Sequence, residues 1–116
     1  MADDNRLTIA VDAAGGDYAP QEVVKGAIKA AHEYKVNVAL VGQRQILHVM
    51  TGKRRHSGIS IVDASEIIEM GESPVTGVKT KPDSSIVVGI EMLRTGQAAA
   101  FVSAGDTGAV VAASMI

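Results

Sequence analysis

The sequence predicts an α/β fold of three layers, helix over sheet over helix, around a mostly parallel sheet. Three observations predict it. Four short apolar runs, "LTIAV" (7–11), "VNVALV" (36–41), "ISIV" (59–62) and "AAAFV" (98–102), are continuous rather than alternating, as in strands buried on both faces. Helical patterns lie between most of them, and strand, helix, strand, helix is the order of a layered α/β domain. Hydrophobic residues make up 47% of the chain but aromatic ones only 3%, so the core must be Val, Ile, Leu, Ala and Met. Twelve glycines and many alanines favour helices packed closely on the sheet.

The elements follow in order. The first run ends on Asp12 and leads into Gly15-Gly16-Asp17. Pro20 is suited to opening a helix, and Val24, Ala27, Ile28 and Ala31 then share one face. "QRQILHVM" (43–50) predicts a shorter second helix. Residues 63–83, "DASEIIEMGESPVTGVKTKPD", fit the pattern poorly: two prolines and two glycines interrupt them where a crossover helix is expected. They read either as a binding loop or as a surface excursion with a short helix at 65–69. From Ser84 or Ser85, an apolar stripe of Ile86, Val87, Ile90 and Leu93 predicts a helix ended by Gly96. A last helix begins after "SAGDTGA" and runs to "VVAASMI" with no cap, an apolar stub with nothing to pack on. That ending predicts a fragment of a longer protein. The expected organisation is a flexible terminus at 1–6 and, over 7–116, the N-terminal portion of one α/β domain.

Composition excludes several function classes. Net charge is −2 and there are three aromatic residues in all, so neither a phosphate-backbone surface nor a base-stacking platform is supported. No cysteine is present, which excludes disulfides and thiolate metal sites and suits the cytoplasm. The opening "MADDNRLTI" is acidic and polar, unlike a signal peptide, and no apolar run approaches the ~20 residues of a membrane helix. His32 and His48 sit in helix patterns and His56 in a basic loop, without metal-ligand spacing.

Three loops carry chemistry, and in open α/β sheets ligands bind at the carboxyl ends of strands. The first is "DAAGGD" (12–17), where the glycine pair serves either a tight turn or close approach of the backbone to a ligand. It is neither of the usual nucleotide-binding glycine motifs. The second is "SAGDTGA" (103–109), following a strand and opening a helix. Its amides suit an anion, or else Asp106 or Thr107 simply caps the helix. Two glycine-rich loops on two strand ends together favour a phosphate-sized ligand. The third is "KTKPDSSI" (79–86), where Lys81 precedes a helix opened by Pro82-Asp83-Ser84-Ser85. It reads as a phosphate ligand or as a surface lysine before a capped helix. "KRRH" (53–56) reads as a solvated cluster favourable to a helix dipole, or as a docking patch for an acidic partner.

"AVDAAGGDYAP", "PDSSI" after a lysine, and "VSAGDTGA" resemble the bacterial phosphate acyltransferases of phospholipid synthesis, in register from about Leu7 to the last residue. The resemblance implies a fold similar to those of phosphotransacetylases and isocitrate dehydrogenases, incomplete in this chain. It also implies formation of acyl phosphate from acyl-(acyl carrier protein) and inorganic phosphate. On that basis Lys81, Ser84, Ser85 and Asp12 are the expected catalytic residues. Gly15, Gly16, Asp17, Ser103, Gly105, Asp106, Thr107 and Gly108 are the expected phosphate-binding residues, and the glycine pair is read as approaching the ligand. Acyl carrier protein and phosphate are the implied partners, with no nucleic acid, metal or cofactor. The implied parent is a cytoplasmic homodimer, associated with the membrane through its missing part.

The family usually has methionine at Ala14, often histidine at Tyr18 and commonly asparagine at Asp106. Tyr18 therefore excludes a histidine acid or base there, and Asp106 puts a negative charge beside the expected anion site. Two rival readings stand beside this one: a phosphotransacetylase-like enzyme using acyl-CoA, and a non-catalytic phosphate-binding domain.

Overall fold

A computed structural model describes residues 6–16, 19–52, 56–69 and 71–115. Residues 1–5 and the cluster at 53–55, on which the expected flexible terminus and the docking patch fall, lie outside the described residues, as do Asp17 and Tyr18.

Four strands form one sheet: β1 (Thr8–Asp12), β2 (Asn37–Gly42), β3 (Ile59–Asp63) and β4 (Ala100–Val102). The order across the sheet is β3-β2-β1-β4, and every neighbouring pair is parallel. In register, Ala10 of β1 lies between Ala39 of β2 and Phe101 of β4. β2 is buried along its whole length, which its unbroken apolar run demands, while β3 and β4 at the edges are half-exposed.

Helix α1 (Gln21–Tyr34) connects β1 to β2, and α2 (Arg44–Thr51) connects β2 to β3. Both connections step in the same direction, so right-handed crossovers put both helices on one face. Pro20 stands just ahead of α1, its carbonyl accepting from the Val24 amide at 2.9 Å. The expected stripe holds: Val24, Ala27 and Ala31 are buried against Val38, Leu40 and Leu47, with Ile28 half-buried beside them.

The chain then crosses back over the sheet through α3 (Pro74–Thr80) and α4 (Ser85–Arg94) to reach β4 on the far side of β1. This reversal of direction places α4 on the opposite face, where Met92 packs with Ala10, Ala39 and Val41. Helix α5 (Thr107–Met115) follows β4 and joins Ile68, Val78, Ile86 and Ile90 through Ala109 and Ala113. The three expected layers are present.

Three local expectations are corrected. Residues 65–69 are not helical and carry no regular structure beyond one isolated bridge at Glu66. Glu66 bridges to Ser84 in parallel, and its amide and carbonyl are taken by the Asp83 carbonyl and the Ser85 amide. The helix of this excursion begins instead at Pro74, where a fixed φ and a missing N–H favour a first turn. In α4 the inward face is Ile86, Ile90 and Met92, while Leu93 is exposed. Finally, α5 is not a stub without a partner: Ala109 and Ala113 are buried between α3 and α4, and Val111 and Met115 form its exposed side.

Candidate active site at the carboxyl ends of β1 and β4

β1 is where the sheet order reverses, because the chain leaves it toward β2 and later returns on its other side as β4. The loops after β1 and β4 therefore diverge in sequence but meet in space, the usual ligand crevice of an open parallel sheet. Asp12, the last residue of β1, is 1% exposed. Its Oδ1 accepts from the amides of Ala14 and Gly15, both at 2.9 Å. Its Oδ2 accepts from the Ser103 hydroxyl at 2.7 Å, and Ser103 Oγ in turn accepts from the Gly105 amide at 3.0 Å. A buried carboxylate needs such donors, and here they lock two loops to one side chain.

The glycines are explained by this contact. A β-carbon on Gly15 would lie 2.6 Å from Asp12 Oδ2 and 2.9 Å from the Gly105 α-carbon. Gly16 has φ of +97° and would meet the Ala104 side chain at 3.0 Å. The close approach at the glycine pair is thus of one loop to the other, a third option beside the tight turn and the ligand.

Asp106 is the N-cap of α5, Oδ2 accepting from the Ala109 amide at 3.2 Å, so its carboxylate is engaged at the helix end. Thr107 is exposed at the first helical position. Gly108 does not leave room for a ligand at its α-carbon: a β-carbon there would meet Pro74 Cγ at 2.7 Å, so this glycine serves the contact of α5 with α3. Of the amides expected to face an anion, those of Gly15 and Gly105 are already bonded within the loops, as is the neighbouring Ala109 amide. Those of Gly16, Asp106, Thr107 and Gly108 have no partner among the described residues.

The other expected catalytic groups are placed differently. Lys81 Nζ donates to Glu72 Oε1 at 2.5 Å and to the Ile67 carbonyl at 2.8 Å, inside the 63–83 excursion. That bond from Lys81, helped by the Glu69 amide, holds the Glu72 carboxyl below its ordinary range. Ser84 is wholly buried as the N-cap of α4, its Oγ accepting from the Val87 amide at 3.3 Å. Ser85 is 2% exposed and its amide donates to the Glu66 carbonyl. The α4 terminus nonetheless borders the site, since Ile86 Cδ1 would lie 3.4 Å from a β-carbon on Gly105. Asp83 accepts from both the hydroxyl and the amide of Ser65, which lowers its carboxyl from the ordinary range.

Glu72, Ala104 and Pro74 belong to this end of the molecule but escaped the sequence reading. Glu72 sits nine residues before Lys81 in an irregular stretch, where no periodicity links the two. Among the described residues no group of three or more His, Asp or Glu could hold a metal ion, and no helix is long and apolar enough to cross a membrane.

Comparison with known proteins shows that a family described as fatty acid synthesis protein matches residues 7–116. A phosphate acyltransferase from Pelotomaculum thermopropionicum is 48% identical over 110 residues, covering 94% of this chain and 32% of that relative. One from Salinibacter ruber is 52% identical over 112 residues, with 92% and 33% covered. One from Dehalococcoides mccartyi is 46% identical over 109 residues, with 93% and 31% covered. The chain spans about a third of the length of these relatives.

Proposed function

The chain belongs to the fatty acid synthesis protein family, and from that premise we propose that it carries part of the phosphate-binding cleft of a phosphate acyltransferase. The reaction read here is transfer of an acyl group from acyl-(acyl carrier protein) to inorganic phosphate, giving acyl phosphate for phospholipid synthesis in the cytoplasm. The observation that supports it most is the Asp12–Ser103 lock, which holds two glycine-bearing loops together beside the N-terminus of α5 at the point where the sheet order reverses.

A phosphate oxygen attacks the thioester carbonyl, the carbonyl π electrons move onto oxygen, and collapse of that oxyanion expels the thiolate. Thiols have a pKa of about 8.5, so the leaving group asks for little acid assistance. The protein's task is to orient phosphate and to offer donors to the developing oxyanion. The amides of Gly16, Asp106, Thr107 and Gly108 and the Thr107 hydroxyl have the chemistry for it. Asp12 is a positioning residue in this scheme: three hydrogen bonds occupy its carboxylate, so it shapes the loops. Lys81 contributes only by exchanging Glu72 for phosphate.

The test is acyl phosphate formation by the whole protein, supplied with phosphate and either acyl carrier protein or coenzyme A thioesters. Turnover of the carrier thioester supports the proposal. Turnover of the coenzyme A thioester alone points to a phosphotransacetylase-like enzyme, and release of no thiol from either leaves a binding domain.

A further inference from the structure

The first turn of α4 carries two donors that the fold leaves unused. Ser84 is the N-cap, and its Oγ accepts from the Val87 amide. The Ser85 amide is taken by the Glu66 carbonyl. The Ile86 amide and the Ser85 hydroxyl have no partner among the described residues. The hydroxyl is the unusual one, because Ser85 is only 2% exposed and a buried hydroxyl without a partner is costly. Among the described residues, every side-chain oxygen or nitrogen fully shielded from solvent has a partner. The small opening at Ser85 therefore lies at its hydroxyl.

Helix periodicity shows where that hydroxyl points. Ser85, Gly89 and Met92 share the face of α4 turned to the sheet. Gly89 lies against the Phe101 ring, and the Met92 carbonyl accepts from the Gln97 and Ala98 amides that lead into β4. α4 thus runs antiparallel to β4, and Ser85, one turn back from Gly89, faces the strand end that carries Ser103. Strand alternation puts Ser103 on the side of Phe101, and Asp12 on the side of Ala10, which packs with Met92. Ser85 therefore overlooks the Asp12–Ser103 bond. Ile86 brings the second donor to the same place, since it borders Gly105 and packs with Ala109 of α5.

We propose that Ser85 Oγ and the Ile86 amide form the oxyanion hole of the reaction, receiving the carbonyl oxygen of the acyl thioester while phosphate sits at the start of α5. The inference rests on the acyltransferase reading. An opening this small admits one oxygen atom and not a whole phosphate, which assigns these donors to the carbonyl. When a phosphate oxygen attacks the carbonyl carbon, the π electrons move onto the carbonyl oxygen. There two neutral donors and the N-terminus of α4 meet the charge. Collapse of the oxyanion restores the carbonyl, and the charge departs on the thiolate. Three hydrogen bonds to its carboxylate offset the neighbouring charge of Asp12.

The test uses the whole protein with an octanoyl thioester of acyl carrier protein, isotope-labelled at the carbonyl carbon. Isotope-edited infrared spectra, recorded without phosphate, should show the bound carbonyl at lower wavenumber than in buffer. Ser85→Ala removes one donor of the pair. It should lose about half of that displacement and lower kcat about 100-fold, with the phosphate KM unchanged. Ser85→Cys, a weaker donor of similar size, should fall between the two. A carbonyl band that Ser85→Ala leaves in place overturns the proposal, whatever happens to kcat or to the melting temperature. So does a raised phosphate KM at unchanged kcat, which gives the hydroxyl to phosphate. If the unsubstituted protein displaces the band, Ser85→Ala relieves it and neither makes acyl phosphate, the carbonyl site stands and the assigned reaction falls.

Discussion

The Ser103 hydroxyl donates to Asp12 Oδ2 at 2.7 Å, joining residues 91 positions apart in the chain across the carboxyl ends of adjacent parallel strands. Removing it leaves the buried Asp12 Oδ2 without its donor and the Gly105 amide without its acceptor. Ser103→Ala should therefore destabilise the fold by about 1–3 kcal/mol. Asp12→Ala should cost more, because the Ala14 and Gly15 amides lose their acceptor as well. Urea unfolding midpoints measure both. Equal, negligible shifts would mean that water replaces the carboxylate without penalty.

The glycines give predictions of opposite sign. Gly15→Ala drives a methyl into Asp12 Oδ2 and the Gly105 backbone, and neither can move without opening the loop pair. It should destabilise by about 1–3 kcal/mol. Gly26, in the middle of α1, meets nothing within 4 Å of a built β-carbon. Gly26→Ala should therefore stabilise by about 0.5–1 kcal/mol, through helix propensity and a less disordered unfolded chain. Thermal melts of the two variants should move in opposite directions. A matching loss in both would contradict the loop-contact account of Gly15.

What could be read from the sequence divides along physical lines. All four strands are legible as continuous apolar runs, most plainly β2, where burial along the whole length leaves little else possible. The 65–69 segment departs from the expected helix because the Glu66 amide donates to the Asp83 carbonyl and the Glu66 carbonyl accepts from the Ser85 amide, partners that no local pattern reveals. The inward face of α4 differs from the expected stripe by one position, Met92 in place of Leu93, since a stripe fixes a face only to within a residue. Asp12, the glycine pair and the 103–108 loop are legible as loops at strand ends, and the structure brings them together. The reason for the glycines is not legible: turn, ligand and loop-to-loop contact all leave the same glycines in the sequence. Lys81 looked like a phosphate ligand because its spacing before α4 was visible and its partner Glu72 was not.

The Lys81–Glu72 pair predicts a pH dependence. The folded-state pKa of Glu72 is lowered, first by the Lys81 hydrogen bond. A depressed carboxyl contributes stability above its unfolded pKa and loses it as pH falls through the folded value. The unsubstituted protein should thus lose more thermal stability between roughly pH 5 and pH 3 than Glu72→Gln does, with the two curves parallel above that range. Parallel curves throughout would show that the pair is too solvated to matter. The same variant tests Lys81 in catalysis. If its ammonium exchanges onto phosphate, releasing it from Glu72 should lower the phosphate KM of the whole protein, and Lys81→Ala should raise it.

Gly108 separates packing from ligand binding most sharply. Its place in a glycine-bearing loop at a helix start suggests a backbone kept bare for phosphate. A β-carbon there would instead press on Pro74 Cγ at 2.7 Å and Pro74 Cβ at 3.3 Å, forcing α5 away from α3. Gly108→Ala alone should destabilise by about 1–3 kcal/mol. Pro74→Ala removes Cγ, the nearer atom, at the cost of the proline that starts α3. In that background the Gly108→Ala penalty should fall to about half, a coupling that a double-mutant cycle of unfolding free energies reads directly. Phosphate dependence then provides the second axis. With helix contact restored in the double variant, activity of the whole protein should recover alongside stability. If stability recovers while the phosphate requirement stays raised, the added methyl itself obstructs phosphate, and Gly108 belongs to the anion site after all.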